Sequence, residues 1–302
     1  MILTAIMAAW GYIGWSAYFY LKYRARAVKG NVILITGGGS GIGRLMALKF
    51  ATLGAKLVLW DVNEAGLEKV KAEVIAAGAE CDTYKIDITD RELVYATAKK
   101  VGKVDILINN AGIVTGKTIL DCPDHLMQKT IDVNTTAHFW TIKAFLPEMI
   151  AADSGHIVTV SSMAGIVGVG GMVDYCASKF GAYGIHDSLS MELRLRKSKV
   201  RTTLVCPFYI NTGMFDGVRT GLFPLLEENW VANRIVKAIR RGEEVLCMPW
   251  IMGIMPMFRC LPSPWFAWLV TVTGANSSMS DFKGRQPIAA APAASAETQK
   301  SK

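Results

Sequence analysis

The chain has 302 residues, 51% hydrophobic and 19% charged, with a formal net charge of +8. That length is enough for one large α/β domain with extensions. Four of the eight charges (Lys22, Arg24, Arg26, Lys29) follow an apolar N-terminal run and a net two lie in residues 275–302. Only +2 remains for the domain between, which argues against a nucleic-acid partner.

Residues 2–21 are almost wholly apolar and carry no charge. Twenty such residues can cross a bilayer as a helix, with Trp10, Trp15, Tyr18 and Tyr20 as interface anchors. The basic cluster that follows places the main domain on the cytosolic side. Ala25-Arg26-Ala27 resembles a signal-peptide cleavage site, but the run is long, lacks a basic start and ends among arginines. A helix lying in the interface, as on a lipid droplet, is the other reading.

From Asn31 onward, short β-branched runs alternate with longer amphipathic stretches. The pattern predicts strands at 31–35, 56–60, 83–87, 104–108, 156–160, 201–206 and 244–248. Helices are expected at 42–53, 63–77, 90–101, 124–151, 174–198 and 229–241. Nearly continuous apolar strands alternating with helices imply a parallel sheet covered on both faces. Residues 247–274 form a second apolar block, broken by Pro249, Pro256, Pro262 and Pro264, which suits a membrane-resting patch or a cover for a substrate mouth. The tail from about Gln286 is Ala/Pro/Ser-rich, so it is expected to be disordered. The expected division is an anchor with basic flank at 1–29, a main domain at 30–250, a membrane-associated or mouth segment at 251–285, and a tail at 286–302.

Six cysteines without a C-x-x-C pair read as reduced, mostly buried thiols. Four histidines show no ligand spacing, so no metal site is expected.

After the first strand comes Thr36-Gly37-Gly38-Gly39-Ser40-Gly41-Ile42-Gly43, then a helix. Glycines permit a tight turn and close approach of backbone to a pyrophosphate, and the helix N-terminus offers free N–H groups. Gly37, Ser40, Gly41, Ile42 and Gly43 are therefore candidate dinucleotide contacts. The second strand ends at Asp61, whose carboxylate can accept from an adenosine ribose diol and would repel a 2′-phosphate. NAD is preferred over NADP on that ground, with Arg44 as the residue that could reverse the preference. Tyr175 and Lys179 stand one helical turn apart, so their side chains can meet. An ammonium near the phenol should lower its pKa toward neutrality, making Tyr175 a candidate acid/base.

Together these features resemble the short-chain dehydrogenase/reductase family. Thr36 to Gly43 matches its Thr-Gly-x3-Gly-x-Gly loop, Asn109-Asn110-Ala111-Gly112 its sheet-core motif, and Tyr175-x3-Lys179 its catalytic motif. The resemblance covers about residues 30–250. It implies one doubly wound Rossmann sheet, often dimeric through its long central helices. It also implies Asp87 and Ile88 beside the adenine, Asn110 near the cofactor ribose, and Ser162, 13 residues before the tyrosine, on the substrate oxygen. Asn134 would hold a water for proton relay and Thr212 would contact the nicotinamide carboxamide. Pro207-Phe208 departs from the family's usual Pro-Gly. That pair, with Leu59-Trp60-Asp61 and Asp281-Phe282-Lys283-Gly284-Arg285, is similar to a membrane-bound branch of epidermal and microsomal retinol dehydrogenases.

The resulting expectation is a membrane-anchored, NAD-linked dehydrogenase of a lipophilic alcohol, all-trans-retinol first, on the endoplasmic reticulum or a lipid droplet. An apolar lid over residues 214–226 supports such a substrate. A 17β-hydroxysteroid or other lipid-alcohol dehydrogenase would use the same residues. A scaffold that binds NAD without turnover would not need Asn134, Ser162, Tyr175 and Lys179 together.

Overall fold

The computed structural model describes residues 25–221, 223–272, 279 and 281–283. The expected anchor at 2–21, Leu222 of the lid and the tail lie outside the described residues. Among the described residues no helix is long and apolar enough to cross a membrane.

Seven parallel strands form one sheet: β1 (Val32–Thr36), β2 (Lys56–Asp61), β3 (Cys81–Lys85), β4 (Ile106–Asn109), β5 (His156–Val160), β6 (Arg201–Pro207) and β7 (Val245–Met248). Their order is β3-β2-β1-β4-β5-β6-β7, so the winding reverses between β1 and β4. In such sheets ligands bind at the carboxyl ends of the strands beside that reversal.

Alternation along each strand sends successive residues to opposite faces, and both faces are covered. Ile33, Ile35, Leu57 and Leu59 pack with α1 (Gly41–Ala51), α2 (Glu64–Ala76) and α7 (Glu228–Arg241). Leu34, Val58, Trp60 and Leu107 pack on the other face. There they meet α3 (Arg91–Val101), α5 (Ala137–Ala151) and α6 (Val173–Leu195). Each fully buried side chain of this kind is worth about 1.5–3 kcal/mol. The helix ends follow local chemistry: Asp90 accepts from Leu93 N at 3.0 Å to start α3, and Gly242 takes a left-handed φ of 67° to stop α7.

Two differences from the sequence pattern matter. The third strand starts at Cys81 rather than 83, because Leu57 pairs with Cys81 in the β2–β3 register. The helix expected over 124–151 is α4 (Asp124–Ile131), a five-residue π segment (Asp132–Thr136) and then α5. The π turn lies against α6, where Thr135 Oγ1 donates to Ser178 O at 2.7 Å. Wide turns of this kind often occur at functional sites. Beyond β7 the apolar block forms a 3-10 helix (Trp250–Cys260) and α8 (Ser263–Val272).

Candidate active site

The loop from β1 into α1 is built so that no side chain can fill it. Gly37 and Gly41 have φ of 68° and 52°, and a Cβ on Gly43 would stand 2.1 Å from Gly37 O. Asn110 braces the loop from β4: its Nδ2 donates to Thr36 O at 2.9 Å and Gly37 O at 3.3 Å. Thr36 Oγ1 returns the brace by accepting from Asn110 N at 3.0 Å and Ala111 N at 3.1 Å. The result is an open backbone cradle at a helix N-terminus, which fits a pyrophosphate.

Asp61 ends β2 beside this loop. Its Oδ2 accepts from Gly39 N and its Oδ1 from Asn63 N, both at 2.9 Å. Arg44 is held elsewhere: Nε and NH2 donate to the two carboxylate oxygens of Glu73 at 2.6 and 3.0 Å. The guanidinium that could have received a 2′-phosphate is therefore spent on α2.

A cavity of about 290 Å³ runs along the carboxyl ends of the strands. Gly37, Ser40, Gly41, Ile42, Gly43, Asp61, Asp87, Ile88, Asn110, Ser162, Tyr175, Lys179 and Thr212 all line it. Asn134 does not; it is fully buried behind the wall. Its Oδ1 accepts from Ile113 N and its Nδ2 donates to Ile113 O and Ser178 Oγ, each at 2.9 Å. A Cβ on Gly112 would touch both Asn134 Oδ1 at 3.3 Å and Lys179 Nζ at 3.4 Å, so Gly112 separates the amide from the ammonium.

Tyr175 and Lys179 project from one face of α6. Lys179 Nζ stands 5.8 Å from the Tyr175 ring centre and donates to Val160 O at 3.0 Å. Ser161 Oγ donates to Lys179 O at 2.8 Å, a structural role, while Ser162 Oγ accepts from Ala164 N at 3.1 Å and donates to Pro207 O at 3.4 Å, next to the Tyr175 phenol. The expectation that the nearby ammonium brings the phenol toward neutrality is not met in the protein by itself. Burial pushes the Tyr175 phenol above its ordinary range, and the Ser162 hydroxyl beside it offsets only part of that rise. Burial also lowers Lys179, to about 8. With both groups desolvated, the charged forms of each are disfavoured in the protein by itself.

A second cavity, of about 210 Å³, adjoins the first and is almost wholly apolar. Ser162, Tyr175, Phe208 and Phe215 border both. The Phe215 ring meets Tyr175 edge-on with centroids 5.9 Å apart, and Tyr209 at 5.0 Å. Phe208 fills the position where the family pattern has glycine and packs on Phe223 at 6.0 Å. Met163, Val167, Val169 and Met172 supply a further wall that sequence reasoning did not single out. The available signal was the small and apolar run between Ser162 and Tyr175. Residues 281–283 strap the lid: Lys283 N donates to Asp216 O at 2.9 Å and Arg219 pairs with Asp281.

Known proteins resemble this chain in sequence and fold. The short chain dehydrogenase family model matches residues 31–222. Human (Homo sapiens) epidermal retinol dehydrogenase 2 is 52% identical over 237 residues, covering 76% of this chain and 77% of that protein. Human retinol dehydrogenase 10 is 40% identical over 309 residues, covering 90% and 91%. Among solved structures, a short chain dehydrogenase/reductase from Burkholderia phymatum in complex with NAD is 28% identical. It superposes with a TM-score of 0.69, covering 77% of this chain and 93% of that one. A metagenomic short-chain oxidoreductase in complex with NADP is 31% identical, with a TM-score of 0.63 and coverage of 73% and 97%. By the extent of the family match, the loop that carries it and the identity to these relatives, the chain belongs to the short-chain dehydrogenase family of NAD(P)-dependent oxidoreductases.

Proposed function

We propose that this enzyme oxidises a lipophilic alcohol with NAD, all-trans-retinol being the first substrate to test, and that Tyr175 is its acid/base. The observation that carries the reading is the wall shared by the two cavities: Ser162 and Tyr175 border both the polar cleft and the apolar one. An alcohol in the apolar cavity would present its hydroxyl to Ser162 and Tyr175. The names of the two human relatives support retinol, and the apolar lining supports a lipophilic substrate of any kind.

The glycine cradle would hold the pyrophosphate, Asp61 the adenosine ribose, and Lys179 the ribose nearest Tyr175. Arg44, tied to Glu73, leaves the Asp61 preference for NAD unopposed. When bound, the oxidised dinucleotide supplies the hydride acceptor and a positive ring charge. Ser162 orients the substrate hydroxyl, and Tyr175 removes its proton. Lys179 stabilises the phenolate and passes the proton on toward the open cleft that both residues line. Positioned proton transfer of this kind contributes about 10²–10⁴-fold. Reduction of the carbonyl would use the same groups in reverse.

In this reading residues 2–21 attach the enzyme to the endoplasmic reticulum or a lipid droplet, and exposed Phe139, Met191 and Leu195 on the central helices offer a surface to a second copy. The test is NADH formation by membranes carrying the full chain with all-trans-retinol, against NADP and Tyr175→Phe controls. Turnover that needs both NAD and Tyr175 is expected. Cofactor binding without retinol turnover would move the search to steroids and fatty alcohols, which demand the same catalytic residues.

A further inference from the structure

The segment after β7 has two chemically similar faces in different surroundings. In a 3-10 helix side chains three apart eclipse one another. Along Trp250–Cys260 every third residue, Met252, Met255 and Phe258, is half-buried and lines the apolar cavity. Ile251 and Ile254 also reach that cavity, whereas Trp250 and Met257, 77% and 75% exposed, do not line it. The pattern continues in α8. Val270 is buried and lines the cavity, whereas Trp265 and Trp268, on the outer side, are 67% and 65% exposed. From Val245 to Val272 the sequence holds one charged residue, Arg259.

An outward face made of tryptophan and methionine with almost no charge costs free energy in water and marks an interaction surface. Tryptophan at such density suits the boundary between lipid and water, where its ring is buried and its N–H stays wet. The chain's own route selects the occupant. Arg26 is tied to the end of α7, with Arg26 N donating to Arg240 O at 2.8 Å and Arg240 Nε to Arg26 O at 3.1 Å. That end of α7 leads into β7, the edge strand, and β7 leads into the aromatic segment. Arg26, which follows the uncharged run in the sequence, is therefore tied in at one end of β7, and the aromatic face begins at the other. Four strand residues separate them by about 13 Å, a span that one flat surface can meet. Arg26, Arg240 and Arg241 at the near end suit lipid phosphates.

We propose that residues 250–272 form a two-sided interfacial element: the outer face rests in the head-group region of a phospholipid bilayer, and the inner face is the wall of the substrate cavity. The β7 edge then faces the membrane, and a lipophilic alcohol enters from lipid rather than from water. This rests on the lipophilic-alcohol reading for its substrate, but the docking face itself does not.

The test uses the full chain in vesicles of brominated phosphatidylcholine. Bromine quenches tryptophan only on contact, so quenching should be strong in the wild type. It should fall in W250F/W265F/W268F, which keeps the apolar surface and removes the reporters. In parallel, W265E/W268E should raise KM about tenfold for alcohol held in vesicles, equivalent to about 1.4 kcal/mol of lost interaction, while kcat and the KM for a short water-soluble alcohol stay put. Equal quenching in the wild type and the Phe variant overturns the proposal, as does an unchanged vesicle KM. Burial of these tryptophans against a second copy also overturns it, and would appear as quenching no stronger than in W250F/W265F/W268F with a changed sedimentation of W265E/W268E. If neither alcohol is turned over, the substrate reading fails while the quenching still decides the docking face.

Discussion

Lys179 turns its Nζ onto the carbonyl of Val160 at 3.0 Å, at the end of β5, while standing 5.8 Å from the centre of the Tyr175 ring. The ammonium is thus anchored by the sheet beside the phenol ring, and both groups are buried. Burial raises the phenol and lowers the lysine to about 8.

Tyr175→Phe removes the proposed proton acceptor and little else, since the ring still packs on Phe215. Turnover should drop by about 10²–10⁴-fold, with NAD affinity nearly unchanged by titration calorimetry. Substantial residual activity would sink the assigned acid/base.

Lys179 gives the cofactor-free protein a distinct pH signature. An unfolded lysine keeps its proton to about pH 10.4, whereas the folded one releases it near 8. Between those values the unfolded chain binds more protons, so stability rises with pH. Above about pH 10 the raised Tyr175 phenol acts oppositely, because the folded chain keeps a proton that the unfolded chain loses. Urea unfolding from about pH 8 to 10 should show the wild type gaining on Lys179→Met, by on the order of 1 kcal/mol per pH unit. A parallel pH dependence in the two proteins would contradict this.

Asp61 and Glu73 should control cofactor choice together. Asp61→Ala removes the carboxylate beside Gly39 and should erode the NAD preference roughly tenfold, about one lost hydrogen bond to a charged group. Adding Glu73→Gln frees Arg44 and should shift the kcat/KM ratio further toward NADP. A ratio unmoved by both changes would show that selection lies elsewhere.

Gly43→Ala tests the cradle. The new Cβ would fall 2.1 Å from Gly37 O, and such overpacking costs about 1–3 kcal/mol. The thermal midpoint should fall, and NAD should restore less of it than in the wild type. An unaltered midpoint and an unaltered NAD response would refute the close approach.

The lid strap should matter modestly. Arg219 and Asp281 are both largely exposed, and exposed pairs are worth under about 1 kcal/mol. Arg219→Ala should therefore raise KM for a bulky alcohol by less than about fivefold, with kcat unchanged. A larger loss, or one in kcat, would mean that the strap shapes the reacting geometry itself.

Local chemistry determined much of this molecule from the chain alone. Alternating β-branched and amphipathic runs carried the strand and helix order, because each element must bury its own apolar face. The glycines between β1 and α1 and the four-residue spacing of Tyr175 and Lys179 made the cradle and the pair legible. What the tertiary structure decided depends on residues far apart in sequence. Arg44 is spent on Glu73, 29 positions away, so a residue that read as a threat to NAD selectivity is neutralised by α2. Asn134 is withdrawn into a π turn whose partners, Ile113 and Ser178, come from other elements. The apolar cavity is assembled from the loop before Tyr175, the aromatic run at 208–223 and the segment beyond β7. Its existence follows from packing, and so does the direction of the Tyr175 shift: spacing can bring a lysine beside a phenol, but only burial decides whether charge on either is welcome.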